Sequence, residues 1–150
     1  GCPARALAHE DDPDFSRRSP GEWHRWSVLP SLFWKGDTSS DEIVGHYFAF
    51  HLYHDLVADA EAKSRVRHFC TRLTDHILDN GYHLVDVDGE PTRWGVWAPE
   101  KLNHDPYWEW ERGLNSLLIL SHLKVAGHLT GNPRYHDAFR ELVEVHGYAR

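Results

Sequence analysis

Two stretches of this chain are apolar almost all the way round a helix: Ile43 to Val57 (IVGHYFAFHLYHDLV) and Leu114 to Leu129 (LNSLLILSHLKVAGHL). A helix of that kind needs other elements over most of its circumference. A chain of 150 residues forms about one domain, so two such helices leave more apolar surface than a small monomer can hide. Both are therefore expected to be inner helices.

The punctuation around them is clear. Thr38-Ser39-Ser40-Asp41-Glu42 opens the first, with Ser39 and Glu42 spaced as a capping box, and predicts a helix from about Asp41 to Ala58. A second helix follows from about Glu61 to Asn80: Val66, Phe69, Cys70, Leu73 and Ile77 recur at helical spacing, and Lys63, Arg65, Arg67, Arg72 and Asp79 form a solvated side. Asn80-Gly81 ends it with a left-handed cap. Tyr82 to Val87 then alternate, Asp88-Gly89 reads as a two-residue turn, and Glu90 to Trp97 return, which predicts a β-hairpin over 82–97. Asp86 and Asp88 do not complete an EF-hand, because Leu84 stands where a ligand is required. Beyond a loop, a helix from about Glu111 to Leu129 is broken by Gly131-Asn132-Pro133 and followed by an amphipathic helix from Arg134 to His146, through Tyr135, Phe139, Leu142 and Val143.

The expected fold class is therefore all-α: αα-hairpins in inner and outer layers, forming a partial (α/α) toroid, with one small β-hairpin. Residues 1–22, rich in proline and mixed charge, read as an extended or poorly ordered arm. Residues 23–36 carry three tryptophans in a loop-like strap, and 23–150 form the helical-hairpin domain, part of a larger toroid or assembly.

That layering is how an (α/α) toroid is built. Through WKGDTSSDEIVGHYFAF (34–50), DHILDNGYHLVDVDGEPTRWGVW (75–97) and ERGLNSLLILSHLKVAGHLTGNPRY (111–135), the sequence resembles bacterial (α/α) toroid proteins of the six-hairpin glycosidase superfamily, over residues 34–148. A full toroid needs several more hairpins than this chain supplies. The resemblance implies a carbohydrate-active protein, glycoside hydrolase-like or a related polysaccharide lyase or epimerase. A noncatalytic glycan-binding or assembly subunit is the alternative, and a histidine-rich protein binding a divalent metal is a third reading.

Charge and composition limit the partners. Sixteen basic residues against 23 acidic ones leave a net charge of −7, which repels phosphate backbones and excludes a nucleic-acid role. Mean hydropathy is −0.60, and no membrane span is expected. Cys2 and Cys70 make neither a disulfide framework nor a CxxC pair, and Cys70 falls in a core stripe. HExxH, GxSxG and glycine-rich phosphate loops do not occur, which removes metalloprotease, α/β-hydrolase and nucleotide-binding readings. Gly1-Cys2 looks like the surroundings of a lipoprotein cleavage site, so the expected location is secreted, periplasmic or lipoprotein-anchored.

The 13 histidines, seven tryptophans and six tyrosines suggest a binding surface, though aromatics can equally fill a core. The loops preceding the two inner helices, 36–42 and 93–115, should meet at one rim. There Asp37, Asp41, Glu42 and Glu111 are candidate catalytic carboxylates, which could divide acid and base roles. His46, Arg93, Trp94, Trp97, Asn103, His104, Trp110 and Asn115 are candidate saccharide contacts, with Trp108, Glu109 and Arg112 close by in sequence. Capping accounts equally for Asp41 and Glu42, and a helix start for Glu109 and Glu111. Asp37 and Asn115 are least explained that way, with Asp37 at the mouth, Trp94 and Trp97 as a platform and Arg93 fixing orientation. Glu42, His46, His51, His54 and Asp55 could be a metal set, but His46 and His51 point about 140° apart on a helix. No metal or other cofactor is assigned. His51, His54, His122 and His128 are instead expected to make polar contacts between helices. The expected partners are a saccharide and either a second copy or a companion chain completing the helical core.

Overall fold

A computed structural model describes residues 2–13, 15 and 23–150 of the chain. Helix α1 (Ser40–Leu56) begins where the capping box places it: the Glu42 carboxylate accepts from the Ser39 backbone N–H at 2.7 Å and from the Ser39 hydroxyl. Helix α2 (Ala60–Asp79) starts at Asp59, whose side chain accepts from the Ala62 N–H. It buries the stripe Val66, Cys70, Leu73 and Ile77, while Phe69 stays partly exposed. Burial pushes the Cys70 thiol up to about 11, as expected of an inert core cysteine. Strands β4 (His83–Val85) and β5 (Pro91–Val96) form the expected hairpin, with Gly89 at φ 85° in the turn. A short helix α3 (Pro99–Leu102) and a 3₁₀ turn (Pro106–Trp108) lead into α4 (Arg112–Thr130). Gly131 caps α4 at φ 69°, and α5 (Pro133–Glu144) starts from the Asn132 cap with proline in its first turn.

Helix α4 is the centre. It packs against α1, α2, α3 and α5, burying Ile119, Leu120, Leu123, Ala126 and Leu129. A side chain at Gly127 would run into the His136 ring, so glycine lets α5 approach there. Tyr148, beyond α5, donates to the Trp97 carbonyl at 2.6 Å and ties the end of the described chain to the hairpin.

Three expectations need correction. The fold is mixed α/β and not all-α: among the described residues, five α-helices stand alongside two small antiparallel sheets. Strands β1 (Ala6–His9), β2 (Trp23–Arg25) and β3 (Leu32–Lys35) form a sheet in the order β1-β3-β2, with Lys35 opposite both Ala6 and Trp23. The segment read as an arm holds β1 and the one read as a strap holds β2 and β3, while residues 16–22 of the arm lie outside the described residues. They are three or four residues long, and LFWK has no two-residue alternation, so no local pattern announced them. Toroid layering is likewise not seen, because α4 is surrounded by its neighbours instead of standing in a ring. Finally, α1 is not an inner helix within this chain: only Ser40, Ile43 and Tyr47 are buried, while Phe48, Leu52 and Leu56 face outward.

His122 of α4 is fully buried, stacked on Tyr47 at 4.3 Å with Trp97 edge-on at 5.7 Å, and neither ring nitrogen has a hydrogen-bond partner. Burial among these groups pulls its pKa down to about 3, so the ring is neutral when folded. The unfolded chain binds the proton near pH 6.5, and the folded chain does not until about 3. Through this group stability is complete above pH 6.5 and falls with acidification, by about 1.4 kcal/mol per pH unit. Urea unfolding between pH 7 and 5 should therefore show a shallower loss of stability in His122→Phe than in the unaltered chain. Equal slopes would mean that the imidazole is solvated.

Candidate functional site

The two loops expected to share a rim do meet. A cleft of about 320 Å³ opens between the start of α1, lined by Ser39, Ser40, Asp41 and Glu42, and the start of α4, lined by Glu111 and Asn115. Trp94 of β5 forms one wall and Arg5, just before β1, another. Trp94 is braced by Tyr107, stacked at 6.4 Å, and by Trp108, edge-on at 6.0 Å. Asn115 is buried: its amide donates to the Val96 carbonyl at 3.1 Å, and its Oδ1 has no partner. Glu111 occupies the N-cap position of α4 without making a side-chain cap bond, which leaves its carboxylate to the cleft.

Glu42 is committed to structure. Partial burial pulls its carboxyl upward, but the Ser39 hydrogen bonds and the Arg5 guanidinium, 3.1 Å away, outweigh this and hold it below the usual range. It is an ionised acceptor and not a proton donor near neutrality.

Asp37 lies outside the cleft lining and is equally committed. Its Oδ1 accepts from the Arg93 N–H at 2.7 Å, and its Oδ2 pairs with the Arg93 guanidinium at 3.1 Å. Its own N–H donates to Asp86 Oδ2 at 2.8 Å. With φ at 51°, it occupies the left-handed region that Asp and Asn tolerate better than most residues. Asp37 thus fastens the β3–α1 junction to the hairpin, and its carboxylate is not offered to a ligand. Asp37→Ala should lower unfolding free energy by about 1–3 kcal/mol, through the lost acceptor and the strained backbone. Asp37→Asn should retain most of that stability, and denaturant midpoints for the two variants distinguish this role from a ligand contact.

The other expected contacts scatter. Trp97 is fully buried and cannot be a platform. It follows the end of β5 by one residue, where the chain turns inward, and its indole meets His122 in the core. A side chain at Gly95 would run into Leu84 and Thr92 of its own hairpin, so this glycine serves close packing within the hairpin. His46 packs beside Phe50 and Phe69 on α1 and α2, away from the cleft lining. Asn103 donates to the His146 carbonyl at 2.9 Å, His104 is exposed after α3, and Trp110 is 92% exposed. Arg5, Ser39 and Ser40 were not anticipated. Arg5 arrives only because β1 pairs with β3, whereas Ser39 and Ser40 had been read for capping alone.

A second grouping lies on the outer side of α1 and α4. His51, Asp55 and His128 bring one potential ligand atom each to within 4.8 Å of one another. The His51–Asp55 spacing of four was visible in the sequence, whereas the approach of His128 depends on how α4 packs on α1. His54 and His128 do make polar contacts between helices, with Arg67 and Asp55 respectively, whereas His122 does not, because it is enclosed by the Tyr47 and Trp97 rings with no hydrogen-bond partner for either nitrogen.

The chain matches no protein-family model, no curated protein and no solved structure. Among the described residues, no helix is long and apolar enough to cross a membrane.

Proposed function

We propose that the cleft between α1 and α4 binds a saccharide, as a noncatalytic glycan-binding site. The observation that carries this reading is the Asn115 Oδ1, a buried acceptor without a partner, set in the same cleft as the braced Trp94 indole. A sugar ring presents hydroxyl donors at its edge and C–H groups on its face. Asp41, Glu111 and Asn115 suit the first, and Trp94 suits the second. Binding is favoured over hydrolysis because two of the four candidate catalytic carboxylates, Asp37 and Glu42, are already held in ion pairs with arginine. A glycosidase-like reaction would rest on Asp41 and Glu111 alone.

Calorimetric titration against a panel of neutral and amino oligosaccharides tests this. Trp94→Ala should weaken binding at least about tenfold, the loss expected for about 1.4 kcal/mol of stacking contact. Glu111→Gln should leave affinity within a few-fold. Product analysis in which Glu111→Gln abolishes turnover would favour the hydrolase reading. No binding across the panel, or undiminished binding by Trp94→Ala, would overturn both.

The expectation of a helical partner is carried forward as self-association. The outward side of α1 carries Gly45, Phe48, Ala49, Leu52 and Leu56 between Asp41 and Asp55 near its two ends, so its middle can offer apolar side chains to a second copy across a two-fold axis. Light scattering should report a dimer, with Phe48→Glu and Leu52→Glu together giving a monomer. A monomer in the unaltered chain would leave only a companion chain to cover that face.

A further inference from the structure

We infer that His51, Asp55 and His128 form a site for a borderline divalent transition metal such as Zn²⁺, joining α1 to α4. The donor set is two imidazole nitrogens and one carboxylate oxygen, which suits Zn²⁺ and its first-row neighbours and not the oxygen-seeking Ca²⁺ or Mg²⁺.

The spacing is close to what coordination needs. Ligand atoms at ~2.0–2.1 Å from a tetrahedral Zn²⁺ stand ~3.3 Å from one another. Asp55 Oδ2 lies 3.4 Å from His51 Nε2 and 2.8 Å from His128 Nε2, and all three atoms fall within 4.8 Å. Small side-chain rotations suffice, because His51 and Asp55 are one helical turn apart on α1 and His128 faces them from packed α4.

The carboxylate is also held from behind. Arg67, which can only donate, approaches His54 Nε2 at 3.3 Å, so that nitrogen accepts and the proton sits on Nδ1. His54 Nδ1–H then donates to Asp55 Oδ1 at 2.7 Å and leaves Oδ2 toward the two imidazoles. Hydrogen-bonded ligand carboxylates of this kind are a regular part of metal sites. Three protein ligands leave a fourth position for water or an incoming donor.

The test is Zn²⁺ titration of the full chain against a chromophoric chelator, with Co²⁺ absorption reporting the coordination geometry. One Zn²⁺ per chain is expected, with tetrahedral Co²⁺ bands. His128→Ala and Asp55→Asn should each reduce affinity by more than about tenfold, and His54→Ala by about tenfold or more, through the carboxylate it orients. Circular dichroism should be unchanged in His128→Ala and Asp55→Asn, since those ligand side chains lie at the surface. His68→Ala, an exposed histidine on α2, should bind as the unaltered chain does. Undiminished affinity in His128→Ala, or an equal loss in His68→Ala, would overturn the site and assign binding to scattered surface histidines. Because these residues lie outside the cleft, failure here leaves the saccharide reading standing, and the reverse also holds.

Discussion

Helix α4 carries Ile119, Leu123 and Ala126 at no exposure, and that burial requires neighbours on several sides at once. Side chains of the size of Ile119 and Leu123 each contribute about 1.5–3 kcal/mol when withdrawn from water, so the chain gains most by wrapping α4. α5 approaches over Gly127, α2 offers its single apolar stripe, and α1 supplies Ile43 and Tyr47. The consequence is an asymmetry between two helices of similar composition. The first is left with an apolar outer side because the second has taken the centre.

The same wrapping brings the starts of α1 and α4 together with the hairpin, and polar groups fasten that junction. Asp37 joins the β3–α1 turn to Arg93 on β5, while Asp86 of the hairpin accepts from the Asp37 N–H. Arg5 pins the segment before β1 to Glu42, and Thr38 donates to the Pro3 carbonyl at 2.7 Å. A carboxylate with its oxygens occupied by arginine and backbone N–H groups is a structural element, whatever its position near a cleft. What remains for a ligand is the set not used in the fastening: Asp41, Glu111, the Asn115 oxygen and the Trp94 face. That remainder is suited to recognising hydroxyl groups.

Histidines illustrate how context separates one residue type into different roles. His122 is enclosed by rings and held neutral, His54 transmits a hydrogen bond from arginine to carboxylate, and His51 and His128 face an acceptor at the surface. Their abundance in the composition could not distinguish these environments, because each depends on which helix lies opposite.

Local chemistry was readable from the sequence. Ser39 and Glu42 satisfy each other within one turn, Asp88-Gly89 sets the hairpin, and Gly131-Asn132-Pro133 stops one helix and starts the next, so the boundaries of the four long helices and the hairpin were legible to within about two residues. The meeting of the 36–42 and 93–115 loops followed from the order of those elements. The three-stranded sheet did not, since β1 and β3 pair across more than twenty residues and neither strand has a pattern of its own. Nor could sequence separate Trp94, at the cleft, from Trp97, in the core, or bring His128 to Asp55. Backbone capping and turn energies are decided among residues a few positions apart, and a sequence displays them directly. Which side chain is buried, paired or left facing a ligand is decided by what packs against it from elsewhere in the chain, and only the tertiary structure supplies that neighbour.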